Sequence, residues 1–534
     1  MRLVLLLHLL LLIITQDLFA QCGTRYKERY FNNIQVFRDV VYSEDAPALI
    51  GATLTTETTI PKDLVMDVFM PPATDVITKR PVVILAHGGG FINVAFMGGT
   101  LLVGTMDNDD VQALADTLAH WGFVTASIEY RLGFNPASAS SLKRAVWRGA
   151  QDMSAAVRFF RKNATWFGID SEKVFVGGSS AGAFCAIHST FVDNAERLPE
   201  SYQLVPIFKK DLGALHSRPI VELTSFNPFN GNPVVGNDVD SIPIGVAAYW
   251  GAIADLDWLH QGSNKAPMIM FHGTGDAVVS YQCNRPFANV ILTAPVTCGS
   301  YMMDSVMTAH NMPHEVHFEN AAGHEYWGAL NGNWLPAGPN AFWADIIQKT
   351  ADYFYPLMQP AKPSITGIAT ANPTTNYTYS INNPLPNHSY CWKVDGGVMV
   401  SPVTNGSTIE VQFYNTTTQG VVTARAVNES QVASDVDSME VTVLSNVSIN
   451  AITSPIQSLR FYPNPALEDG WLTLSAKRPF KTTLMIVNSV GQLMVEQALF
   501  LKEGKNTLEL SLKDLPQGIY MVKVLEQTLK VVKR

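Results

Sequence analysis

Continuous apolar runs alternate with segments of helical spacing through the first two thirds of the chain. The run 81–86 is apolar at every position, which is typical of a parallel strand buried on both faces. Further strands are predicted at 124–130, 173–177, 267–271 and 315–318. Apolar residues recur at helical spacing across 146–160 and predict a helix there. This alternation predicts an α/β fold with a doubly wound, mostly parallel sheet over residues 21–358.

The pattern changes after Met358. Residues 359–364 include two prolines and predict a linker. The segment that follows shows no amphipathic helix, and alternating stretches predict short strands at 390–394, 408–414, 421–426 and 440–444. This length and spacing predict a small all-β sandwich of immunoglobulin type over 359–445. A second linker at 446–458 leads to a second small all-β module over 459–534.

The N-terminus has the pattern of a signal peptide. Arg2 and an apolar stretch over 3–14 precede Ala20, a small residue that fits the last position of a signal-peptidase site. We therefore predict a signal peptide over 1–20 and an exported protein. The apolar run has about 12 residues, whereas a helix that spans a bilayer needs roughly 20. The alternatives are a membrane anchor and, because of Cys22, a lipoprotein.

Charge and motifs exclude several classes of partner. The net charge of −9 and the lack of a basic tract argue against a nucleic-acid partner. Dinucleotide and P-loop patterns are absent at suitable positions, so no cofactor is expected. His310, His314 and His317 could suggest zinc, but Pro313 interrupts any helix that would bring the first two together. His314 and His317 face opposite sides of a strand, so no metal site is predicted.

The five cysteines all follow the predicted signal peptide, in a chain exported to a compartment where disulfides form. Cys283 and Cys298 lie close together in a loop-like segment and are predicted to pair. Cys185 lies in a predicted buried helix and is expected to be a free thiol. Because five is odd, at least one thiol has no partner within the chain.

A Gly-x-Ser-x-Gly pattern at 178–182 follows a predicted strand and precedes a helical stretch at 183–190. In such a strand–turn–helix unit the turn is so tight that the nucleophile's backbone is strained, and small residues must flank it. The register selects Ser180, because a motif centred on Ser179 would not have glycine at both ends. The Ser180 hydroxyl would lie at a helix N-terminus, where the dipole favours negative charge.

Three further motifs each follow a predicted strand. After His87, the glycine run 88–90 lets backbone N–H groups approach the oxyanion of a tetrahedral intermediate. Asp276 comes after the strand 267–271, where an acid can orient a histidine. His324 lies on a loop after the strand 315–318 and is the candidate general base. The weaker alternatives for the acid are Asp255 and Asp257.

Together, four motifs resemble the carboxylesterase and hormone-sensitive-lipase branch of the α/β hydrolases. They lie at 87–91, 178–182, 272–276 and 323–325. The resemblance covers about residues 65–355 and includes the chain order Ser, Asp, His. It implies a serine esterase with Ser180 as nucleophile, His324 as general base and Asp276 as the acid that orients it. It also implies an oxyanion hole formed by the backbone N–H groups of Gly89, Gly90 and Ala181.

The chain departs from that family's pattern between Asp276 and His324, where the segment is longer than usual and holds both paired cysteines. The long insertion 199–237, rich in Pro, Asn and Phe, is predicted to cover the site as a cap. Five aromatic residues are candidates either for lining the pocket or for the core, and the sequence favours neither position: Phe91, Phe96, Phe226, Phe229 and Trp327.

The last module resembles the C-terminal sorting domain of the type IX (Por) secretion system. The resemblance rests on Phe-Tyr-Pro-Asn-Pro-Ala at 461–466, Gly-Ile-Tyr at 518–520 and a basic end at 530–534. It implies that the type IX machinery is a partner and that the protein is secreted or at the cell surface. The preceding sandwich, with Trp392 and an Asn-Gly turn at 405–406, resembles the Ig-like or PKD-like modules of secreted bacterial enzymes.

These expectations combine into a secreted serine carboxylic-ester hydrolase that acts on a small-molecule or polymer-borne ester through an acyl-enzyme. A serine peptidase of the prolyl-oligopeptidase type is one alternative on the same fold. That family usually carries a large propeller before the nucleophile, whereas only about 65 residues separate the predicted signal peptide from the glycine run. A non-catalytic surface adhesion protein is the other alternative, and it would not need intact Ser, Asp, His and glycine motifs.

Overall fold

The computed structural model describes residues 24–54, 56–93, 103–192, 212–224, 231–234, 238–262, 264–288, 290–402, 405–444 and 455–534. The chain divides into two compact units, and the boundary in the sequence falls between Val443 and Leu444. The predicted signal peptide lies outside the described residues. Of the described helices, none is long and apolar enough to cross a membrane.

Eight strands form the central sheet of the first unit. They are β1 Gln35–Ala52, β2 Glu57–Met70, β3 Arg80–Ala86, β4 Val124–Ile128, β5 Ile169–Ser179, β6 Gly245–Tyr249, β7 Met268–Gly273 and β8 His314–Glu319. Their spatial order is β1-β2-β4-β3-β5-β6-β7-β8. The pairs β1–β2 and β2–β4 are antiparallel, and all other neighbours are parallel. Every residue of β3, β4, β6 and β7 is buried, which explains their continuous apolar runs.

Helices cover both faces of this sheet, as the doubly wound prediction requires. The main helices are α1 Asp109–His120, α2 Ala139–Lys162, α3 Ala181–Phe191, α4 Ser300–Ala309 and α5 Ala341–Met358. One hydrophobic core includes buried residues of α2, α3 and α4, and a second includes those of α1 and α5. The side chain of Ser138 caps α2 by accepting a hydrogen bond from the N–H of Ser141.

Several short helices and strands lie outside the eight-stranded sheet. The short helices are Ala164–Phe167, Asp257–Gln261 and the 3-10 turn Leu215–Ser217. The short strands pair as Ile220–Leu223 with Gly231–Val234, Ala329–Leu330 with Asn333–Trp334, and Thr297–Gly299 with both Ala252–Ile253 and Cys283–Asn284.

A small β module follows α5 within the same unit. One of its four-stranded sheets contains Ile365–Thr366, Asn376–Ile381, Thr408–Phe413 and Gly397–Met399. The other contains Thr370–Ala371, Asp437–Val443, Gln419–Val427 and Ser389–Asp395. Its loop at 428–433 packs on the α/β part, where Tyr26 Oη donates to Ser430 O at 2.7 Å and Ala433 N donates to Tyr355 Oη at 3.0 Å. The buried side chain of Val432 joins the core that includes α5.

The second unit is a separate all-β module. A three-stranded sheet contains Ile456–Tyr462, Asp469–Ala476 and Gly504–Ser511. A four-stranded sheet contains Leu493–Leu501, Phe480–Asn488, Gly518–Val524 and Gln527–Lys533. The unit has its own core, centred on residues such as Leu472, Ile486 and Val522. Near its basic end, Lys533 Nζ donates to the backbone oxygens of Leu512 and Leu515, so this lysine stabilises the module.

Candidate active site

Ser180 lies at the turn between β5 and α3. Its backbone has φ 54° and ψ −115°, a left-handed φ that is costly for a residue with a side chain. The surrounding chain holds it there, since Ser180 N donates to Tyr249 O at 3.0 Å and Phe184 N donates to Ser180 O at 3.2 Å. This backbone carries the hydroxyl beyond the end of the sheet, at the N-terminus of α3.

The two glycines that flank Ser180 are required by close backbone packing. A Cβ added to Gly178 would lie 2.4 Å from the carbonyl carbon of Gly182. One added to Gly182 would lie 2.0 Å from Ala86 O, at the end of β3. Only glycine fits at either position without moving the backbone, so α3 can start directly behind the nucleophile.

The structure brings Ser180, His324 and Asp276 together at the carboxyl ends of β5, β8 and β7. His324 Nε2 lies 2.9 Å from Ser180 Oγ, and His324 Nδ1 lies 2.6 Å from Asp276 Oδ2. With Nδ1 protonated, the imidazole donates to the carboxylate and accepts from the serine hydroxyl. This line of hydrogen bonds has the geometry that activates a serine oxygen.

Asp276 has a fully buried side chain that is held by several donors. Its Oδ1 accepts hydrogen bonds from Val278 N at 2.8 Å and Val279 N at 2.9 Å. Burial alone would raise the pKa of this carboxyl, but the interactions with His272 and His324 outweigh it and lower the pKa below the usual value. Asp276 is therefore an anion at neutral pH and can accept the hydrogen bond from His324 Nδ1.

His272 is a second histidine beside Asp276, and sequence reasoning assigned it no role. Its Nε2 lies 3.4 Å from Asp276 Oδ2 and donates to Val279 O at 2.8 Å, while Nδ1 lies 2.9 Å from Ser300 Oγ. The buried ring thus connects the carboxylate to α4. The sequence signal that could have predicted a role for His272 is its position in the motif 272–276, four residues before Asp276.

The glycine run lies beside the nucleophile. Gly89 and Gly90 have φ of 103° and 60°, which glycine adopts readily. A Cβ on Gly89 would lie 2.3 Å from Gly104 N, and one on Gly88 would lie 3.6 Å from Ser180 Cβ. Tyr130 Oη donates to His87 O at 2.9 Å and fixes the start of the run. Gly90 and Ala181 line the same cavity as Ser180, whereas their roles as oxyanion donors remain predictions.

Two buried carboxyl groups, on Glu325 and Asp110, lie behind the site. Glu325 Oε2 accepts from Gly332 N at 3.1 Å, and a Cβ on Gly88 would lie 3.4 Å from Glu325 Oε1. Burial raises the pKa of both groups, and the charge of Glu325 raises that of Asp110 further. Glu325 lies in the motif 323–325 but had no predicted role. Asp110 was not predicted at all, because it is far from the site in sequence and only the fold brings it close.

An apolar pocket opens beside Ser180. It encloses about 610 Å³ of atom-free space, open mouth included. Its walls include Phe91, Phe134, Leu142, Val146 and Phe184, and the half-buried Lys143 is the charged residue among the described lining. Apolar lining of this kind favours an apolar group of the substrate next to the nucleophile.

The predictions for this lining had mixed outcomes. Phe91 lines the pocket, one of its two candidate positions. Trp327 has the other position allowed for it, in the core, where its ring centre lies 4.5 Å from that of Trp250. Phe96, Phe226 and Phe229 lie outside the described residues.

The predicted cap, the insertion 199–237, is described only in part. Its described residues, 212–224 and 231–234, do not line the pocket. They pack beside β1 and α2, where Ser43 Oγ donates to Pro219 O at 2.6 Å and Asn163 Nδ2 donates to Val221 O at 2.9 Å. The described part of the insertion therefore does not act as the predicted cap, and another loop contributes to the pocket wall.

That loop carries the predicted disulfide between Cys283 and Cys298. Cys185 is buried and has a free thiol, also as predicted. The alternative acids have other partners: Asp255 Oδ1 accepts from Asp257 N at 3.0 Å, and Asp257 Oδ1 lies 4.0 Å from His260 Nε2.

The histidines considered for zinc have other partners. His310 stacks on His260, His314 Nε2 lies 3.0 Å from Asp304, and His317 Nε2 lies 2.6 Å from Glu315. Across the part of the chain that the structure describes, no three His, Cys, Asp or Glu side chains are grouped so as to hold a metal ion.

Comparison with known proteins gives two family matches. Residues 66–214 match the BD-FAE family model, and residues 460–534 match that of the secretion system C-terminal sorting domain. Mouse Carboxylesterase 3B is 33% identical over 120 residues, which is 22% of this chain and 19% of that protein. Human Neuroligin-2 is 33% identical over 118 residues, which is 22% of this chain and 13% of that protein.

The chain therefore spans at most 19% of the length of these curated relatives. Among solved structures, propionate-bound Est2 esterase from Thermogutta terrifontis is similar at 16% identity and a TM-score of 0.34. That match covers 58% of this chain and 93% of the other. The C-terminal match indicates export to the cell surface or beyond. The mostly parallel central sheet and the two family matches thus describe an α/β domain that is similar to BD-FAE over residues 66–214, and a separate module that is similar to secretion system C-terminal sorting domains over residues 460–534.

Proposed function

We propose that the protein is an exported serine carboxylic-ester hydrolase with Ser180 as its nucleophile. The observation that carries this proposal is the hydrogen-bonded line from Ser180 Oγ through His324 to Asp276, with distances of 2.9 and 2.6 Å. A base within hydrogen-bond reach of the hydroxyl, itself oriented by a buried carboxylate, is the arrangement that activates a serine.

In the first half of the reaction, Ser180 Oγ attacks the ester carbonyl carbon while His324 Nε2 accepts the hydroxyl proton. The carbonyl oxygen becomes an anion, to which the N–H groups of Gly89, Gly90 and Ala181 donate. When the bond to the alcohol oxygen breaks, the carbonyl re-forms and His324 gives its proton to the leaving alcohol. The acyl group then remains esterified to Ser180.

In the second half, water attacks the acyl carbon and His324 accepts one of its protons. The bond to Ser180 Oγ breaks, the proton returns to that oxygen, and the products are a carboxylic acid and an alcohol. Asp276 stays ionised throughout, because its role is to fix the imidazole tautomer and stabilise the imidazolium. The low pKa of Asp276 supports this role.

The same proposal includes the route to the working location. A signal peptide at 1–20 would direct the chain across the inner membrane, and the module at 459–534 would engage type IX machinery at the outer membrane. The ester is a small molecule or a group on a polymer outside the cell. The family match over 460–534 supports the second step.

Labelling with a fluorophosphonate tests the proposed nucleophile, and mass spectrometry of the labelled peptide locates the modified residue. We expect label on Ser180, turnover of p-nitrophenyl esters and little turnover of aminoacyl anilides. An unlabelled, inactive protein would favour a non-catalytic role. A preference for the anilide would favour a peptidase.

A further inference from the structure

One wall of the apolar pocket comes from a single loop that the family resemblance does not account for. We call residues 283–288 and 290–298 the disulfide loop, because Cys283 and Cys298 are bonded at its two ends. Among the described residues that line the pocket, five belong to the disulfide loop. They are Pro286, Phe287, Ile291, Pro295 and Thr297. Most of these side chains are apolar, so the loop presents an apolar surface to a group bound beside Ser180.

The disulfide loop is held against the α/β part by specific contacts. Phe287 N donates to Val278 O at 2.8 Å, close to the turn that carries Asp276. Arg285 Nη1 donates to Ala294 O at 2.7 Å across the loop, and Thr293 Oγ1 donates to Pro136 O. The loop thus has a defined position relative to the pocket, as a specificity element needs.

Phe287 is the residue of this loop that packs on the glycine run beside Ser180. Its backbone has φ 51°, in the left-handed region. A Cβ added to Gly90 would lie 3.0 Å from both Cε2 and Cζ of the Phe287 ring. The ring therefore packs directly on the glycine run beside Ser180, where it limits the space open to a bound group.

The side of the nucleophile on which the pocket lies indicates which half of the ester it takes. The leaving alcohol must lie within reach of His324 Nε2, which gives it a proton. The described pocket lining includes Gly90 and Ala181 but neither His324 nor Asp276. The pocket is thus on the oxyanion side, and the group that stays on Ser180 after the alcohol leaves is the group that fills it.

We propose that the disulfide loop is the acyl-binding wall, that Phe287 sets the size of acyl group accepted, and that the substrates are esters of apolar carboxylic acids. This inference rests on the proposed esterase function. Each methylene buried against such a wall is worth about fourfold in affinity. Hexanoate has two more methylenes than butanoate, so the full chain should prefer hexanoate over butanoate esters of one alcohol by about sixteenfold in kcat/KM.

The test uses p-nitrophenyl esters from acetate to octanoate, with the full chain and two variants. Phe287→Ala should shift the preferred acyl group to a longer one, mainly through KM. Cys283→Ser combined with Cys298→Ser should reduce the preference for hexanoate over butanoate toward unity. Leu292→Ala is the matched control, because this side chain on the same loop is 77% exposed and does not line the pocket, and it should leave the acyl profile unchanged.

A second series keeps the acetyl group and varies the alcohol, and its ranking should be the same in wild type and both variants. Fluorophosphonate labelling of Ser180 in each variant shows that the site is still folded. Unchanged acyl profiles in both labelled variants would overturn the inference, and so would a shift in the alcohol series alone. A wild-type chain that is neither labelled nor active on any ester would instead overturn the proposed function itself.

Discussion

The two sides of the active-site cleft are built in different ways. On the chemical side, Ser180, His324 and Asp276 follow the carboxyl ends of strands of one sheet. Main-chain hydrogen bonds of that sheet determine their separation. On the pocket side, much of the described lining comes from α2, α3 and the disulfide loop, which is held by side-chain packing, a few hydrogen bonds and one covalent bond.

This difference separates what the protein does from what it acts on. Loops tolerate change better than the strands that carry them, so the acyl wall can vary while the nucleophile stays in place. A substitution on the chemical side should slow hydrolysis of every ester by the same factor. A substitution on the pocket side should instead change the ranking of esters.

Ser180→Ala should have the largest effect and reduce kcat for every ester about a millionfold. The reason is that the attacking oxygen is removed while His324 and Asp276 keep their places. Steady-state kinetics on several p-nitrophenyl esters measures the loss, and thermal unfolding checks that the fold is kept.

Ser179→Ala is the matched control for that variant. Ser179 is buried and its Oγ accepts a hydrogen bond from Trp250 Nε1 at 2.9 Å, so its loss should affect stability more than chemistry. If Ser180→Ala kept more than about a thousandth of the activity while Ser179→Ala was inactive, Ser179 would be the nucleophile.

Asp276→Asn should lower kcat about ten-thousandfold, again for all esters alike, because an amide favours the wrong tautomer of His324. The double variant Asp276→Asn with His324→Ala should have a kcat only slightly lower than that of His324→Ala alone, since the three residues act as a unit. Kinetics of the two single variants and the double variant measures this. Near-normal rates for His324→Ala, together with an inactive His310→Ala or His317→Ala, would refute the assigned base.

The chemical side could be predicted from the sequence because each of its residues lies in a short motif just after an apolar run. Ser180, for example, is marked by its flanking glycines and by the strand before it. The pocket side could not be predicted, because Phe287 meets Gly90 only through folding of distant segments. Asp110 could not be predicted as a neighbour of the site either, because no residue close to it in sequence indicates that the fold places Glu325 nearby.

Most of the central sheet followed from its buried parallel strands, whereas β6 and the long hairpin of β1 and β2 were missed. The hairpin has a physical reason for being missed. Its pairing contains four register irregularities, between Phe37 and Val40 among other places. Each bulge shifts which side chains face the core, so strict alternation of apolar and polar residues is lost. The small β module after α5 was found from its alternation and turns, whereas the second unit was found from its resemblance to sorting domains.

Gly104→Ala should reduce kcat/KM about a hundredfold for all esters, the typical effect of losing one oxyanion donor. A Cβ there would lie 2.0 Å from Gly88 O, so the glycine run beside Ser180 must shift. Gly51→Ala is the control, because a Cβ at Gly51 meets nothing within 4 Å. Kinetics on acetate and hexanoate esters measures both variants, and unchanged kcat/KM in Gly104→Ala would contradict the proposed role of the run.

Asp110→Asn should change stability with pH more than it changes catalysis. Burial raises the pKa of this carboxyl in the folded state above its unfolded value of about 3.9. As pH rises above that value, the unfolded chain loses this proton before the folded one does, so wild-type stability falls by up to about 1.4 kcal/mol per pH unit from this group. Asparagine has no such proton, so the free energy of unfolding of the variant should rise relative to that of the wild type as pH rises.

Urea unfolding of both proteins between pH 4 and pH 8 measures this difference. A stability difference that stays constant across that range would show that Asp110 is ionised in the folded state. Kinetic constants at pH 7 should differ little, because Asp110 is not part of the hydrogen-bonded line of Ser180, His324 and Asp276 and the amide resembles the carboxyl in shape.

Removal of residues 444–534 should have the smallest effect on catalysis. All described residues of the site and pocket lie before Val443, and the second unit has its own core. The shortened chain should therefore keep the acyl profile and kcat/KM of the full chain. In a host with type IX machinery it should stay in the periplasm, whereas the full chain should reach the surface or medium. A chain cut after Met358 also lacks Val432, which packs in the core that includes α5, so its melting temperature should be lower than that of the chain lacking 444–534.

Normal export of the chain that lacks 444–534 would refute a sorting role for the tail. A changed acyl profile would show that the tail takes part in substrate binding.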